Sequence, residues 1–213
     1  MDDQGFDRLA RGLAGGTSRR LLLGSAVAGA ATLTGTQLGL AKKKGKKKKK
    51  SACIPVSGFE GEAGKLKKKK GWYTATATQD PVVYGNLVLD VPDGTTFADL
   101  VSMKSDFIFD ATSKCGAGAP RFVVFLKDGH CPYAQFPPSL CSTPGSTGNT
   151  GDLIRNQVPG VWNDELCNGI GATKTYADML AVYADAEVDN VTLVTDYSSG
   201  DSTVSLKPCV TLA

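Results

Sequence analysis

Stretches of alternating apolar and polar residues recur along this 213-residue chain from about residue 72 onwards. Residues 72–78 are rich in aromatic and β-branched side chains, and Leu87, Leu89 and Val91 follow at every second position. Successive side chains of a strand point to opposite faces of a sheet, so this period predicts β-strands with one buried face. Turn-forming residues such as Pro92-Asp93-Gly94 separate the strands.

Further strands are predicted in the second half of the chain. Residues 107–109 and 122–126 are continuous apolar runs, typical of strands buried on both faces. Residues 191–196 alternate, and residues 204–208 alternate again after a Ser-Ser-Gly-Asp turn at 198–201. This order predicts that the last two strands form a closing hairpin.

One segment, residues 175–186, has a helical period instead. Its apolar residues recur at spacings of three and four: Tyr176, Met179, Leu180 and Tyr183. Thr175 is expected to cap this helix, with Asp178 at the reciprocal position of a capping box. Many short strands and a single helix predict a mainly β domain, a β-sandwich or jelly roll with one short helix.

The first part of the chain, residues 1–41, has the pattern of a twin-arginine-type signal peptide. Arg19 and Arg20 precede an apolar stretch, and small residues at 39–41 offer a peptidase site. The stretch at 21–40 is long enough to cross a bilayer, so an uncleaved anchor is the alternative. Its glycine and hydroxyl content favours cleavage. Either way, the predicted location of the remaining chain is secreted or at the extracytoplasmic cell surface.

Charge separates the next two parts of the chain, although the overall net charge is only +3. Residues 42–70 carry thirteen lysines and two acidic residues, whereas residues 71–213 carry seven basic and sixteen acidic residues. This pattern predicts a Lys-rich disordered linker at 42–70, preceding a β-sandwich domain at 71–213. The lysines favour an anionic envelope polymer or lipid as partner, with a solubilising spacer as the alternative. Nucleic acid is disfavoured, because the chain carries an export signal and no aromatic residues interrupt the lysine runs.

Six cysteines lie beyond the signal: Cys53, Cys115, Cys131, Cys141, Cys167 and Cys209. An even number in an exported chain predicts disulfides, although the sequence does not choose among the pairings. The short loop between Cys131 and Cys141 favours a local bridge, and Cys209 is expected to tie the last strand to an earlier loop. Zinc is disfavoured, because the chain has no C-x-x-C pair and a single histidine.

Several segments resemble a group of secreted microbial proteins. Cys-Gly-Ala-Gly-Ala-Pro-Arg-Phe at 115–122 is similar to their C-G-G-G-S-P-R-F segment, and Asn-Thr-Gly-Asp-Leu-Ile at 149–154 is similar to their N-T-G-N-L-I loop. Residues 175–180 and 188–194 match in order and approximate spacing, so that the resemblance covers roughly residues 84–210. The group is largely uncharacterised and is similar to carbohydrate-binding jelly rolls, which implies a β-sandwich that binds carbohydrate. In this chain the close spacing of two cysteines, at 131 and 141, departs from the group.

No catalytic motif is complete in this sequence. Residues 129–134 resemble the strand-then-C-P-Y entry of glutaredoxins, but Pro137-Pro138 ends any helix there and Ala134 replaces the second cysteine, which favours a structural disulfide. Asp106 and Asp110 would lie about 13 Å apart on a strand, beyond the roughly 5–9.5 Å of a glycosidase pair. We therefore predict no catalytic residues and a non-enzymatic protein. The alternatives are a secreted hydrolase, whose carboxylates converge only in the fold, and a purely structural envelope protein.

Binding of a glycan or another envelope component is the predicted function. Sugar binding needs exposed aromatic faces beside amide or acid groups. Trp162, followed by Asn163 and Asp164, is the first candidate, Trp72 with Tyr73 is the second, and Tyr133 is a further one. The alternative for Trp162 is a position in the core.

Calcium is the one cofactor that the residues suggest, as a structural ion. Exported β-sandwiches often fix their loops with oxygen ligands. The candidates are Asp196, Asp201 and the loop at 149–152, which together do not make a complete ligand set.

Overall fold

A computed structural model describes residues 52–65, 69–116, 119–155, 161–167, 174–196 and 201–213. These residues form twelve strands and two helices. The described strands are β1 Gly58–Gly61, β2 Ala63–Lys65, β3 Tyr73–Gln79, β4 Val82–Val83, β5 Gly85–Asp90, β6 Leu100–Phe109, β7 Arg121–Leu126, β8 Tyr133–Gln135, β9 Thr147–Asn149, β10 Trp162–Asn163, β11 Val188–Thr195 and β12 Ser202–Leu212. The helices are α1 Pro138–Cys141 and α2 Tyr176–Tyr183, with a 3-10 turn at Phe97–Asp99. The signal at 1–41 and the lysine run at 42–50 lie outside the described residues.

The strands form two antiparallel sheets. The first has the order β1-β5-β11-β7-β8-β10, and the second has the order β2-β3-β12-β6-β9, with β4 paired to β3. The predicted mainly β sandwich is therefore confirmed, and α2 is the predicted short helix. Among the described residues, no helix is long and apolar enough to cross a membrane.

The core lies between the two sheets, where the alternating apolar residues meet. Leu87 and Leu89 of β5 lie opposite Leu193 and Val191 of β11, and all four are fully buried. They pack in one cluster with residues of the second sheet, such as Leu206. Each such side chain contributes about 1.5–3 kcal/mol when it leaves water, so this face supplies much of the driving force for folding.

The chain passes twice from one sheet to the other, and the two crossings close one edge of the sandwich. The chain crosses between β1 and β2 at Gly61, which has a φ of +60°, and between β4 and β5 beside Gly85. A Cβ atom at Gly61 would lie 1.7 Å from the Tyr84 carbonyl oxygen, and one at Gly85 would lie 2.7 Å from the Thr76 nitrogen. The backbones meet directly here: the Glu62 N–H donates to the Tyr84 carbonyl and the Thr76 N–H donates to the Glu62 carbonyl, both at 2.9 Å. Only glycine fits these two crossing points.

Helix α2 begins where the sequence predicts, at a capping box. The Thr175 N–H and hydroxyl donate to Asp178 Oδ2 at 2.8 and 2.7 Å, and the Asp178 N–H donates to Thr175 Oγ1 at 3.3 Å. The backbone and side-chain hydrogen bonds from Thr175 lower the pKa of Asp178. Tyr176 anchors the helix to the 3-10 turn, because its hydroxyl donates to the Phe97 carbonyl at 3.0 Å. The helix ends at Tyr183, three residues before its predicted end.

All six cysteines form disulfides: Cys53–Cys209, Cys115–Cys141 and Cys131–Cys167. The expected local bridge between Cys131 and Cys141 is wrong. Strand β8 pairs with β10, which places Cys131, just before β8, beside Cys167, just after β10. The favoured structural role of Cys131 is confirmed, as is the expected tie between Cys209 and an earlier segment.

The domain begins well before residue 71. The prediction of a disordered linker at 42–70 is therefore wrong for residues 52–65, which belong to the domain. The Ile54 N–H donates to the Val210 carbonyl at 2.8 Å, and β1 and β2 follow directly. Ile54 and Val56 pack against the core. The lysine runs on either side dominate the charge of residues 42–70 and conceal this apolar segment.

The last two strands do not form the predicted hairpin. Strand β11 pairs with β5 and β7 in the first sheet, whereas β12 pairs with β3 and β6 in the second. Each strand has both edges occupied by other partners, so the chain changes sheets between them. Residues 198–200 of the predicted turn lie outside the described residues.

A candidate binding edge and a buried carboxylate

Trp162, the first candidate for sugar binding, is a core residue. Its side chain is 0 % exposed, and its indole N–H donates to the Leu153 carbonyl at 3.0 Å. The ring centroids of Phe97 and Tyr176 lie 5.9 and 5.2 Å from the indole ring. Both the apolar face and the polar atom are satisfied inside the protein, so the expectation of an exposed platform at Trp162 is wrong.

The two residues after Trp162 point to internal partners as well. Asn163 Oδ1 accepts the Glu165 N–H at 3.0 Å and so fixes the turn after β10. The Asp164 side chain is only 1 % exposed, and its Oδ2 atom accepts from Lys174 Nζ and from the Tyr183 hydroxyl, both at 3.3 Å. Asp164 is therefore a buried residue and not a surface ligand for a sugar, whereas Asn163 is half-buried at the turn.

The carboxylate of Asp164 is unevenly satisfied. Its Oδ1 atom is buried and has no hydrogen-bond partner among the described residues, while Oδ2 has two. Burial, followed by the charge of Asp164, raises the pKa of Tyr183 to about 12. The phenol is therefore a hydrogen-bond donor at neutral pH.

A second cluster of buried polar side chains is formed by Arg121 of β7, Tyr133 of β8 and Asp196, which directly follows β11. Arg121 Nη2 is 2.7 Å from Asp196 Oδ2, and both side chains are at most 5 % exposed. The Tyr133 ring lies 5.6 Å from the Arg121 guanidinium, and the Tyr133 hydroxyl donates to Glu165 Oε1 at 3.0 Å. Burial and the hydrogen bond to Glu165 raise the pKa of Tyr133. Asp196, a calcium candidate in the sequence, instead holds an arginine.

The other calcium candidates are also engaged by protein groups. Asp201 Oδ1 accepts the Gln79 N–H at 2.8 Å, and Asp152 Oδ1 accepts the Met103 N–H at 3.1 Å. Asp152 Oδ2 lies 3.4 Å from Arg155 Nε. Within the part of the chain that the structure describes, no three acidic, His or Cys side chains gather as a metal site would require.

The second candidate pair, Trp72 and Tyr73, lies at the start of β3, the strand next to the edge strand β2 of the second sheet. The Tyr73 side chain packs partly against the core. Both side chains are half-buried. Lys69 Nζ lies 4.0 Å from the centroid of the Trp72 ring, and the Tyr73 ring lies 5.8 Å from the ring of Phe59, which is 37 % exposed. We call these four residues, Phe59, Lys69, Trp72 and Tyr73, the basic aromatic edge.

Positive charge at this edge is not neutralised by the described protein. Lys65, Lys69 and Lys70 are exposed, and none forms an ion pair with another described residue. An aromatic surface beside free ammonium groups suits a ligand with apolar ring faces and anionic substituents.

The two sets of residues predicted to bind sugar do not come together in the structure, since Trp162 belongs to the first sheet and Tyr73 to the second. Sequence analysis missed Phe59, which lies in the segment assigned to the linker. The signal that could have found this segment, although not Phe59 itself, is the apolar pair Ile54 and Val56 between the two lysine runs.

The fold and its three bridges define a disulfide-stapled antiparallel β-sandwich. Three disulfides in a domain of this size are typical of extracellular proteins. A scan of known family models, a search of curated proteins and a search of solved structures find no match to this chain. The resemblance to secreted microbial proteins therefore stays a prediction from the sequence.

Proposed function

We propose that this chain is exported and acts outside the cytoplasmic membrane as a non-enzymatic binding module for an anionic glycan or similar envelope component. The contact is made by the basic aromatic edge, with the lysine runs on either side of β1 and β2. The observation that carries the proposal is the position of Lys69 over the Trp72 ring, 4.0 Å from its centroid, at the start of the body. The three disulfides support the compartment.

The lysines and the aromatic rings of the edge contribute to the free energy of binding in different ways. A lysine near an anionic surface contributes about 1 kcal/mol, and this attraction weakens as salt screens it. Contact between an aromatic face and a sugar ring is short-range and depends little on salt. The Lys69–Trp72 contact, worth about 0.5–1 kcal/mol at an exposed site, holds the two groups in register.

The acidic body restricts where an anionic ligand binds. Residues 71–213 carry sixteen acidic and seven basic side chains, so most of this surface repels a polyanion. The lysine runs and the basic aromatic edge are the parts of the chain that attract an anionic polymer.

The test is a binding screen of the mature protein against anionic and neutral cell-wall polysaccharides at two salt concentrations. The variants are Trp72→Ala and the pair Lys69→Gln/Lys70→Gln. The matched charge control is Lys104→Gln/Lys207→Gln, which removes two exposed lysines of the body. A chain beginning at residue 51 removes the first lysine run but keeps the Cys53 bridge, whereas a chain beginning at residue 71 would lose β1 and β2.

We expect Trp72→Ala to weaken binding several-fold at both salt concentrations, and Lys69→Gln/Lys70→Gln to weaken it mainly at low salt. The control pair should change neither. Binding that salt abolishes and that Trp72→Ala leaves intact would assign the contact to the lysines alone and overturn the role of the edge. Absence of binding to every polysaccharide would favour a structural envelope protein.

A further inference from the structure

Asp164 and Lys174 are held in contact by the backbone on which they sit. The Lys174 N–H donates to the Trp162 carbonyl at 2.8 Å, and the Trp162 N–H donates to the Lys174 carbonyl at 3.3 Å. This bridge fixes the backbone beside Asp164, and Lys174 Nζ lies 3.3 Å from Asp164 Oδ2. The amine and the carboxyl group are therefore neighbours because of the fold.

If Asp164 and Lys174 form an ion pair, the hydration that their charges lose is only partly replaced by contacts within the protein. The side chains of Asp164 and Lys174 are 1 % and 16 % exposed, so both charges have lost most of their water. Within the described part of the chain, Asp164 Oδ1 is buried without a hydrogen-bond partner. A buried acceptor with no donor is destabilising and calls for an explanation.

We propose that Asp164 and Lys174 become joined by an intramolecular amide bond, for which this buried pair is the reactant arrangement. The ammonium group first gives a proton to the carboxylate, which leaves a neutral amine and a carboxylic acid. The lone pair on Nζ attacks Cγ and the C–N bond forms. The Cγ–Oδ1 bond then breaks, and Oδ1 leaves with two protons as water, so that no oxidant, reductant or co-reactant is needed.

Tyr183 determines which oxygen stays. Its hydroxyl donates to Oδ2 at 3.3 Å and stabilises the negative charge that develops on this oxygen during attack. Oδ2 becomes the amide oxygen and keeps its donor, whereas Oδ1, which has no partner, departs. The product has neither the two buried charges nor the unsatisfied acceptor.

The surroundings favour condensation over hydrolysis. The ring centroids of Phe97 and His130 lie 6.2 and 5.5 Å from that of Tyr183. Trp162, two residues before Asp164 in the chain, is fully buried. Exclusion of water favours loss of water from the pair. Fixed contact between the reacting groups is equivalent to an effective concentration of about 10⁵–10⁸ M in well-oriented intramolecular reactions.

The experiment is mass spectrometry of the mature protein after reduction and alkylation of its cysteines. We expect an intact mass lower by one water than the sequence requires, and a branched peptide in proteolytic digests that joins the segments of Asp164 and Lys174. Lys174→Arg should restore the full mass, because a guanidinium pairs with the carboxylate but does not attack it. Lys207→Arg is the matched control, since Lys207 faces Asp106 in an exposed pair at 3.8 Å and should keep the water deficit.

The full unmodified mass in the wild-type protein would overturn the proposal. A water deficit that maps to Asp93-Gly94 or Asp128-Gly129 would also overturn it, because a cyclic imide at Asp-Gly loses the same mass. The wild-type digest decides the question by itself, so the test stands even if Lys174→Arg does not fold.

Discussion

At the scale of single residues, the two tryptophans have opposite environments. Trp162 has its ring packed against two aromatic side chains and its N–H bonded to a carbonyl. Trp72 is half-buried and has an ammonium group over its ring. Trp162 should therefore contribute to folding, and Trp72 to binding.

Truncation of each tryptophan tests this division. Removing a large buried aromatic side chain costs about 3–5 kcal/mol, whereas exposed changes stay within about 0.5 kcal/mol. Trp162→Ala should therefore lower the free energy of unfolding strongly, and Trp72→Ala should lower it by much less, in urea titrations followed by far-UV circular dichroism. Similar losses for the two variants would contradict the assignment.

The two tryptophans also show how much of a candidate site can be predicted from the sequence. Trp72 and Tyr73 are candidates by residue type, and their half-buried side chains keep that prediction open. Trp162 was misplaced because its strand, β10, has only two residues and its cover comes from Phe97 and Tyr176, which are distant in the chain. Local pattern does not report such contacts.

At the scale of elements, helix α2 depends on its first turn. With eight residues it is too short to be stable alone, so its cap and its packing must hold it. Thr175 and Asp178 supply the cap, and Tyr176 ties the same turn to the carbonyl of Phe97.

Thr175→Ala should lower the free energy of unfolding by about 1 kcal/mol, the usual cost of losing a threonine N-cap. Thr112→Ala is the matched control, because Thr112 is an exposed loop residue outside any helix or strand. The measurement is the denaturation midpoint at constant slope. No difference between the two variants would show that packing alone holds the helix.

Elements were predictable where their signal is local. The alternation at Leu87 and Leu89 and the capping box at Thr175 each depend on a few neighbouring residues, and both are confirmed. The partners of β11 and β12 are set by which edges other strands leave free, which no local period encodes. The predicted hairpin was wrong for this reason.

At the scale of the whole molecule, the disulfides differ in how much chain they enclose. Cys53–Cys209 spans 156 residues of sequence, whereas Cys115–Cys141 spans 26. A bridge that closes a longer loop removes more entropy from the unfolded chain.

Paired Cys→Ser variants test this difference without leaving a free thiol. Loss of Cys53–Cys209 should cost about 2–5 kcal/mol and should exceed the loss for Cys115–Cys141. Thermal and guanidinium unfolding of the two double variants compare them directly. The reverse order would indicate that local packing around α1 outweighs loop entropy.

Strand β12 lies between β3 and β6, so the second sheet lacks its middle until residue 212 has left the ribosome. Up to that moment β3 and β6 each expose an unpaired edge, which is a template for aggregation and a target for proteases. A chain that stops before β12 therefore leaves the second sheet in two separate parts, with β2 and β3 on one side and β6 and β9 on the other.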